Sequence, residues 1–210
     1  MITFFDYWRS SASYRVRIAL NLLGLTYQSV PVDLIKAQHL AADNIARNPQ
    51  GFVPTLQIDA MTLTQSLAII EYLNDTHGGL LPTDPAGRAR VRALSYAIAM
   101  EIAPICNLSV RNHVAAASNG VISTVDWQIH YINKGLMAFD AMLSDPFTGR
   151  FCHDDRISMA DLCLVPQIYN AERLGIDAAS FPNAARIMAQ LRDIPAVAAA
   201  HPDRVKPSGP

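Results

Sequence analysis

Three serines and an arginine precede the first helical pattern of this chain, in the stretch "RSSASYRV" at 9–16. Hydroxyls and N–H groups at a helix N-terminus stabilise a thiolate and lower a pKa that is about 8.5 in free thiols. No cysteine lies in this stretch, so the thiol would have to arrive with a ligand. The simpler interpretation is that Ser11 or Ser13 caps the helix and that no ligand is involved.

Two further dipeptides in the N-terminal half suit a peptide-like ligand. A cis bond at Val53-Pro54 would leave the backbone N–H and C=O of Val53 facing outward, available to an extended peptide. Ser66 is predicted to cap the helix that it opens, and the N-terminus of that helix, at Gln65-Ser66, suits a carboxylate. From these residues alone, a trans proline and a cap without a ligand are favoured.

Three arginines are candidates for binding an anion. Arg9 lies in a loop beside the serines, where its planar guanidinium suits a bidentate carboxylate. Arg173 lies near the end of a predicted helix, where the helix dipole alone favours a cation. Arg111 belongs to the polar run "VRNHV" and is equally explained by a solvated helix face.

The elements that must position these residues begin with an α/β pattern. Apolar alternation predicts strands, and 3.6-residue spacing predicts helices, in the order β-α-β and then β-β-α. The predicted strands are 2–8, 27–34 and a hairpin around Asp59-Ala60, and the predicted helices are 14–23 and 66–77. Three glycines and two prolines in 78–87 then interrupt the periodicity and indicate a linker.

Everything after the linker has helical spacing and no strand-like alternation. The predicted helices are 88–117, 121–143, 158–174 and 182–191, with a short final helix at 196–201. "SMAD" at 158–161 fits a capping box at the start of one of them. The sequence therefore predicts an α/β domain at 1–80 and an all-helical domain at 88–210.

Composition excludes several classes of function. With 17 basic and 18 acidic side chains, the chain has no charge excess for capturing nucleic acid or an anionic membrane. It has no apolar run of membrane-spanning length and no leader pattern, so we expect a cytoplasmic protein. Its three cysteines and six histidines show no metal-ligand spacing, so we expect reduced thiols and no metal site.

Five stretches of the sequence, taken together, are characteristic of one protein family. They are "RSSASYRVRIALNLLG", "NPQGFVPTLQID", "QSLAIIEYL", "LLPTDP" and "MADLCLVPQIYNAERLGID". Over nearly its whole length the chain resembles the zeta class of glutathione transferases, the maleylacetoacetate and maleylpyruvate isomerases. The resemblance implies a thioredoxin-like N-terminal domain, an all-α C-terminal domain, a cis Val53-Pro54 bond and a homodimer.

The resemblance implies that glutathione is the cofactor and that it binds the N-terminal domain. Its cysteinyl backbone would pair with Val53, and its γ-glutamyl carboxylate would lie at Gln65-Ser66. His39 matches a polar position near the glycine end. Asn107 matches a position that lines the site from the helical domain.

The resemblance also implies catalytic roles at the opening stretch. Ser10, with Ser11 beside it, would stabilise the glutathione thiolate, which adds to the cis double bond of a small dicarboxylate and leaves after rotation. Arg9 and Arg173, which stands in the matching "NAER", are the candidates for the two substrate carboxylates. Arg111 is the third candidate, because relatives use an arginine near this position.

Two positions depart from the pattern of the zeta class. Many members have cysteine where this chain has Ala12, and that cysteine resolves a mixed disulfide in dehalogenase-type relatives, so Ala12 argues against reductive dehalogenation. Ala103 stands where relatives often have glutamine or histidine, which affects how the substrate is contacted.

The sequence leaves other functions open. A general glutathione transferase or peroxidase that acts on small electrophiles would keep the same fold and the same glutathione site. A non-catalytic binding protein is opposed by the intact Ser10, Gln65 and Ser66. A glutaredoxin-like reductase is opposed by the lack of a cysteine at the first helix. The sequence does not separate maleylacetoacetate from maleylpyruvate as the substrate.

Overall fold

The computed structural model describes residues 1–207, which form two compact units. The first unit contains residues 1–80 and the segment from Arg192 onward, and the second contains residues 81–191. The sequence analysis placed 88–210 in a single helical domain. The structure differs from it by joining the segment from Arg192 to the first unit, and 208–210 lie outside the described residues.

A four-stranded sheet forms the centre of the first unit. Its strands lie in the order β2-β1-β3-β4 and are β1 Ile2–Asp6, β2 Tyr27–Pro31, β3 Thr55–Ile58 and β4 Met61–Thr64. Strands β1 and β2 are parallel, whereas β3 pairs antiparallel with both β1 and β4. Phe4 of β1 lies opposite Leu56 of β3, and both side chains are fully buried.

Helices of the first unit cover this sheet in the predicted order. The helix α1 Ser11–Leu22 makes the crossover that the parallel pair β1 and β2 requires. The short α2 Ala42–Arg47 precedes β3, and α3 Ser66–His77 follows β4 and packs against α1. The predicted order of β-α-β followed by β-β-α is therefore confirmed.

Strand β1 ends two residues before the predicted limit of 8 because the chain turns there to enter α1. The backbone N–H of Ser10 donates to the carbonyl of Tyr7 at 2.9 Å. The predicted hairpin at Asp59-Ala60 is present, and both residues have positive φ, 49° and 63°, as a tight two-residue turn requires.

The second unit is helical, as predicted. Its helices are α4 Pro85–Ala99, α5 Leu108–Ala117, α6 Thr124–Met142, α7 Met159–Arg173 and most of α8 Pro182–Arg192. The single helix predicted over 88–117 is wrong, since turns at 101–106 separate α4 from α5. Pro104 lies in that break, where its ring is incompatible with a continuous helix.

The beginning of α7 has the predicted capping box. Asp161 accepts from the backbone N–H of Ser158 at 2.8 Å, and the Ser158 side chain interacts with the third residue of the helix in return. Asp161 is completely buried and also accepts from the N–H of Cys152 at 2.9 Å. Burial raises the pKa of this carboxyl, and these hydrogen bonds oppose the shift.

The last segment carries two short helices, α9 Pro195–Ala199 and α10 Pro202–Val205, in place of the single helix predicted at 196–201. Pro202 causes the division, because the residue before a proline is disfavoured in helical geometry. Two side chains of α1 bind this segment. Arg17 donates to the carbonyl of Ala200 at 3.2 Å, and Asn21 donates to that of Ala196 at 3.1 Å. These bonds explain why the segment belongs to the first unit.

Candidate active site

Ser10 is the N-cap of α1, because its Oγ accepts a 3.2 Å hydrogen bond from the backbone N–H of Ser13. The expectation that Ser11 or Ser13 caps the helix is therefore wrong. Ser11 is already helical, and the buried Ser13 Oγ accepts from the N–H of Tyr7 at 3.4 Å. A hydroxyl that accepts through a lone pair keeps its O–H to donate. Ser10 can therefore cap the helix and donate to an anion at once.

The N-terminus of α1 is suited to a negative charge. The first helical residues, Ser11 and Ala12, have N–H groups for which a helix supplies no acceptor, and both residues are half-buried. No acidic side chain lies in the first turn to repel an anion. The helix dipole adds positive potential there, so a thiolate at this point is stabilised in its charged form.

Arg9 rests against the indole of its neighbour in sequence. Its Cζ lies 5.5 Å from the centroid of the Trp8 ring, within the range of a cation–π interaction. Within the described part of the chain, Arg9 makes no hydrogen bond or ion pair with another residue. Its planar group is therefore uncommitted beside the Ser10 position and suited to a carboxylate.

A buried ion pair fixes the loop 7–10 to the core of the first unit. Arg17 donates to Asp6 Oδ2 at 2.5 Å and to the carbonyl of Trp8 at 2.7 Å. Asp6 also accepts from the Ser29 hydroxyl at 2.9 Å. Burial raises the pKa of the Asp6 carboxyl, while Arg17 and the Ser29 hydrogen bond act in the opposite direction. The carbonyl that precedes Arg9 is thereby fixed to the core of the first unit.

The Val53-Pro54 bond is cis, as the resemblance implied. Val53 lies outside the strand ladder, which begins at Thr55. The loop before it is held by Asn48, a buried residue whose Nδ2 donates to the carbonyl of Phe52 at 3.1 Å and whose Oδ1 accepts from the N–H of Gln50 at 3.1 Å. The position of Val53 is therefore set by a buried side chain.

The N-terminus of α3 carries Gln65 and Ser66 in an unexpected arrangement. Gln65 precedes the helix with a φ of 65°, and its side chain donates to Gln50 Oε1 at 2.8 Å. The prediction that Ser66 is the N-cap is wrong, because the helix begins at Ser66 and its start has no side-chain cap. The buried Ser66 Oγ instead accepts from Arg15 Nη1 at 3.2 Å.

His39 is half-buried in a 3₁₀ turn that spans Gln38–Leu40. Its Nδ1 is buried and has no hydrogen-bond partner among residues 1–207. Gly51 packs closely against this turn: a Cβ there would lie 3.0 Å from Leu40 Cδ2, and its φ of +66° also favours glycine. The turn that carries His39 and the loop before Val53 are therefore in direct contact.

Two of the expected residues of the second unit lie at the N-terminus of α5. Asn107 is the N-cap, and its side chain accepts from the N–H of Leu108 at 2.7 Å. Arg111, one turn later, is half-buried and donates to Gln128 of α6, so it is not part of a solvated helix face. Arg173 is exposed in the last turn of α7, with its Cζ 5.6 Å from the Tyr169 ring centroid.

The half-buried Cys106, next to Asn107, is poorly suited to act as a nucleophile. Burial raises the pKa of its thiol to about 11, against a smaller opposing effect of Arg111. The other two cysteines, Cys152 and Cys163, are buried. None of these three thiols is therefore suited to be the thiolate that the serine stretch could stabilise.

The sequence analysis missed Arg15 and Gln50, which hold Ser66 and Gln65. Arg15 does have a signal in the sequence. "YRVRIAL" places two arginines among hydrophobic residues of a helix, and arginine is rarely buried without a polar partner. Gln50 has no such signal, because its partner lies 15 residues away in sequence, beyond the β3-β4 hairpin.

Comparisons with known proteins identify the family. Residues 1–75 match the model of the glutathione S-transferase N-terminal domain. The maleylacetoacetate isomerase of Rhizobium meliloti (strain 1021) is 57% identical over 206 residues, 97% of each chain. A holo structure described as a maleylpyruvate isomerase, a bacterial zeta-class glutathione S-transferase, has a TM-score of 0.93 and 36% identity, covering 99% of this chain and 100% of its own. The chain belongs to the zeta-class glutathione transferases.

A second solved structure is informative about ligands. It is the maleylacetoacetate isomerase of Anaeromyxobacter dehalogenans 2CP-1, with dicarboxyethyl glutathione and citrate bound in its active site. Its TM-score is 0.88 at 38% identity, and the match covers 100% of this chain and 98% of that one. The glutathione transferase fold, with its thioredoxin-like domain and helical part, is confirmed by these matches. No helix within residues 1–207 is long and apolar enough to cross a membrane.

Proposed function

We propose that this zeta-class glutathione transferase is a glutathione-dependent cis-trans isomerase that converts maleylacetoacetate to fumarylacetoacetate. The observation that carries the proposal is the 57% identity, along 97% of both chains, with a protein named maleylacetoacetate isomerase. The structural relative named a maleylpyruvate isomerase is 36% identical. Identity therefore favours maleylacetoacetate over maleylpyruvate, which shares the same maleyl group.

Four features of the first unit fit glutathione. The N-terminus of α1, with the Ser10 hydroxyl, offers donors to a thiolate. The N-terminus of α3, at Gln65-Ser66, has no acidic residue in its first turn and suits the γ-glutamyl carboxylate. His39 is half-buried, and its ring is assigned to the glycine end. Val53, next to the cis bond, supplies the backbone groups for the cysteinyl part.

When bound, glutathione would supply a thiolate nucleophile whose reversible addition makes rotation about the cis double bond possible. Ser10 keeps that sulfur ionised by donating its O–H, while its own Oγ stays bonded to the N–H of Ser13. The substrate ketone oxygen gains negative charge during addition, and donors at the same helix end, including Ser11, stabilise it.

The substrate is a dicarboxylate, and we assign its carboxylates to Arg9 and Arg173. We also assign Asn107 to glutathione, because it matches the family pattern. Arg111 is the weaker third candidate, since Gln128 already accepts from its guanidinium. The ligands of the Anaeromyxobacter dehalogenans relative, dicarboxyethyl glutathione and citrate, each carry additional carboxylates and support a site for such groups.

We further propose that the protein is a cytoplasmic homodimer. A cytoplasmic location is supported by the proposed dependence of the enzyme on glutathione, which keeps thiols reduced in the cytosol. Dimerisation is supported by apolar side chains that the second unit leaves exposed, namely Met100 at the C-cap of α4 and Met137 of α6, which are 57% and 65% exposed. Sedimentation equilibrium measures the oligomeric state.

Replacement of Arg9 by alanine tests the assignment of the substrate carboxylate. We expect isomerase kcat/KM to fall roughly ten- to hundredfold, because a charge-assisted hydrogen bond to the substrate is lost. Conjugation of glutathione to chloro-dinitrobenzene, which has no carboxylate, should stay within about twofold of the parent. Both rates are measured on the same preparations.

The matched control is Arg9→Lys, which keeps the charge but not the planar fork and should recover only part of the isomerase rate. Equal losses of isomerase and conjugation in Arg9→Ala would contradict the assignment and would favour the general transferase as the main function. Conjugation by a parent enzyme that turns over no cis dicarboxylate would point the same way.

A further inference from the structure

The segment 196–206 runs along α1 from the C-terminal end of the helix towards the loop 7–10 that precedes it, which we call the site loop. Its first contact is the carbonyl of Ala196, which accepts from Asn21 at 3.1 Å. The carbonyl of Ala200 follows, accepting from Arg17 Nε at 3.2 Å. The contacts thus move one helical turn towards the N-terminus of α1 at each step.

The same progression continues to the site loop itself. The His201 ring packs edge-on against Tyr14, with 6.2 Å between ring centroids. At the end of the segment, Lys206 Nζ lies 5.3 Å from the centroid of the Trp8 ring. The four contacts therefore pair residue 196 with 21, residue 200 with 17, residue 201 with 14, and residue 206 with 8.

Trp8 is held at both its ring and its backbone. Lys206 approaches the indole, and the buried Arg17 binds the Trp8 carbonyl at 2.7 Å and the carbonyl of Ala200 with the same guanidinium. The guanidinium of Arg9 also lies against this indole, 5.5 Å from its centroid. The Trp8 ring therefore contacts both Lys206 and the arginine beside Ser10.

We propose that segment 196–206 is a strap that positions Trp8 and, through its indole, orients Arg9 for a substrate carboxylate. Lys206 and Trp8 are positioning residues in this account, and the proposal rests on the function proposed above. The physical reason is that an arginine on a fixed aromatic face samples fewer rotamers, so less freedom is lost when it binds a carboxylate. Without Lys206, the indole loses the contact by which the strap reaches it.

The test compares Lys206→Ala with Arg204→Ala, a neighbouring exposed cation of α10 that changes the net charge equally. We expect Lys206→Ala to raise the KM for the cis dicarboxylate about two- to fivefold, the size of an exposed cation–π interaction. The KM for glutathione and the isomerase kcat should be unchanged. Lys206→Arg should restore the parent KM.

A spectroscopic readout tests the strap without turnover. In a Trp127→Phe background Trp8 is the only tryptophan, and Lys206→Ala should increase quenching of its fluorescence by acrylamide, whereas Arg204→Ala should not. Quenching and KM values that are the same in both variants would overturn the proposal, as would a lowered melting temperature without either change. A parent enzyme inactive on cis dicarboxylates would overturn the proposed function instead, and the quenching would still decide the contact of Lys206 with Trp8.

Discussion

Replacement of Ser10 by alanine lowers the isomerase kcat by about two to three orders of magnitude, the loss expected when a donor to a developing or stored negative charge is removed. The same change raises the pKa of the bound glutathione thiol, because the hydroxyl no longer donates to the charged form. The pH dependence of kcat therefore shifts to higher pH. Ultraviolet absorbance of the thiolate, titrated in the binary complex, measures that pKa directly.

Ser10 also caps α1, so the loss of the cap must be separated from the loss of the hydroxyl. Ser10→Ala costs about 1 kcal/mol of stability, whereas glycine at an N-cap costs only a few tenths. Ser10→Gly should therefore remain nearly as stable as the parent and yet lose the same catalytic activity. Ser10→Thr keeps a hydroxyl and should retain most of both. Full isomerase activity in Ser10→Gly would show that the hydroxyl has no role in the reaction.

Replacement of Arg17 by methionine destabilises the first unit by about 3–5 kcal/mol at neutral pH, the usual result of leaving one partner of a buried ion pair without the other. Arg17 is 1% exposed and Asp6 4% exposed, so water does not compensate either charge. Urea unfolding curves at neutral and acidic pH measure the loss.

The pH dependence of that loss has a definite sign. Burial already raises the pKa of Asp6, and removal of the Arg17 cation raises it further. A carboxyl whose pKa is raised by folding favours the folded state when protonated, so the deficit of Arg17→Met should shrink as the pH falls through that pKa. Adding Asp6→Asn should recover part of the stability at neutral pH. A deficit below 1 kcal/mol, or one independent of pH, would contradict this account of the pair.

The order of elements was predictable because each carries its own periodic signal. Apolar alternation in "ITFF" and helical spacing in "YRVRIAL" are local, and the two short alternating runs on either side of Asp59-Ala60 mark the hairpin. The break between α4 and α5 was missed because the alanine-rich sequence around Pro104 keeps helical composition on both sides. Composition weighs every residue equally, whereas one proline ends a helix.

The site was predictable in its residue types and less so in its hydrogen bonds. The N-cap of α1 was assigned to Ser11 or Ser13 instead of Ser10, because the position of a cap depends on where its helix begins. The turn at Tyr7 and Ser10 starts α1 three residues before the predicted Tyr14. Ser66 accepts from Arg15, which lies 51 residues earlier. A contact between residues this far apart in sequence cannot be predicted from the residues of either short segment. The attachment of the last segment to α1 was missed for the same reason.

The central claim is that this protein uses glutathione as a cofactor to isomerise maleylacetoacetate. The most direct measurement follows the absorbance of the cis substrate with purified protein, with and without glutathione, while free thiol is titrated. We predict many turnovers to the trans product only when glutathione is present, with the thiol concentration unchanged at the end. Isomerisation that does not need glutathione, or thiol lost in proportion to substrate consumed, would contradict the claim.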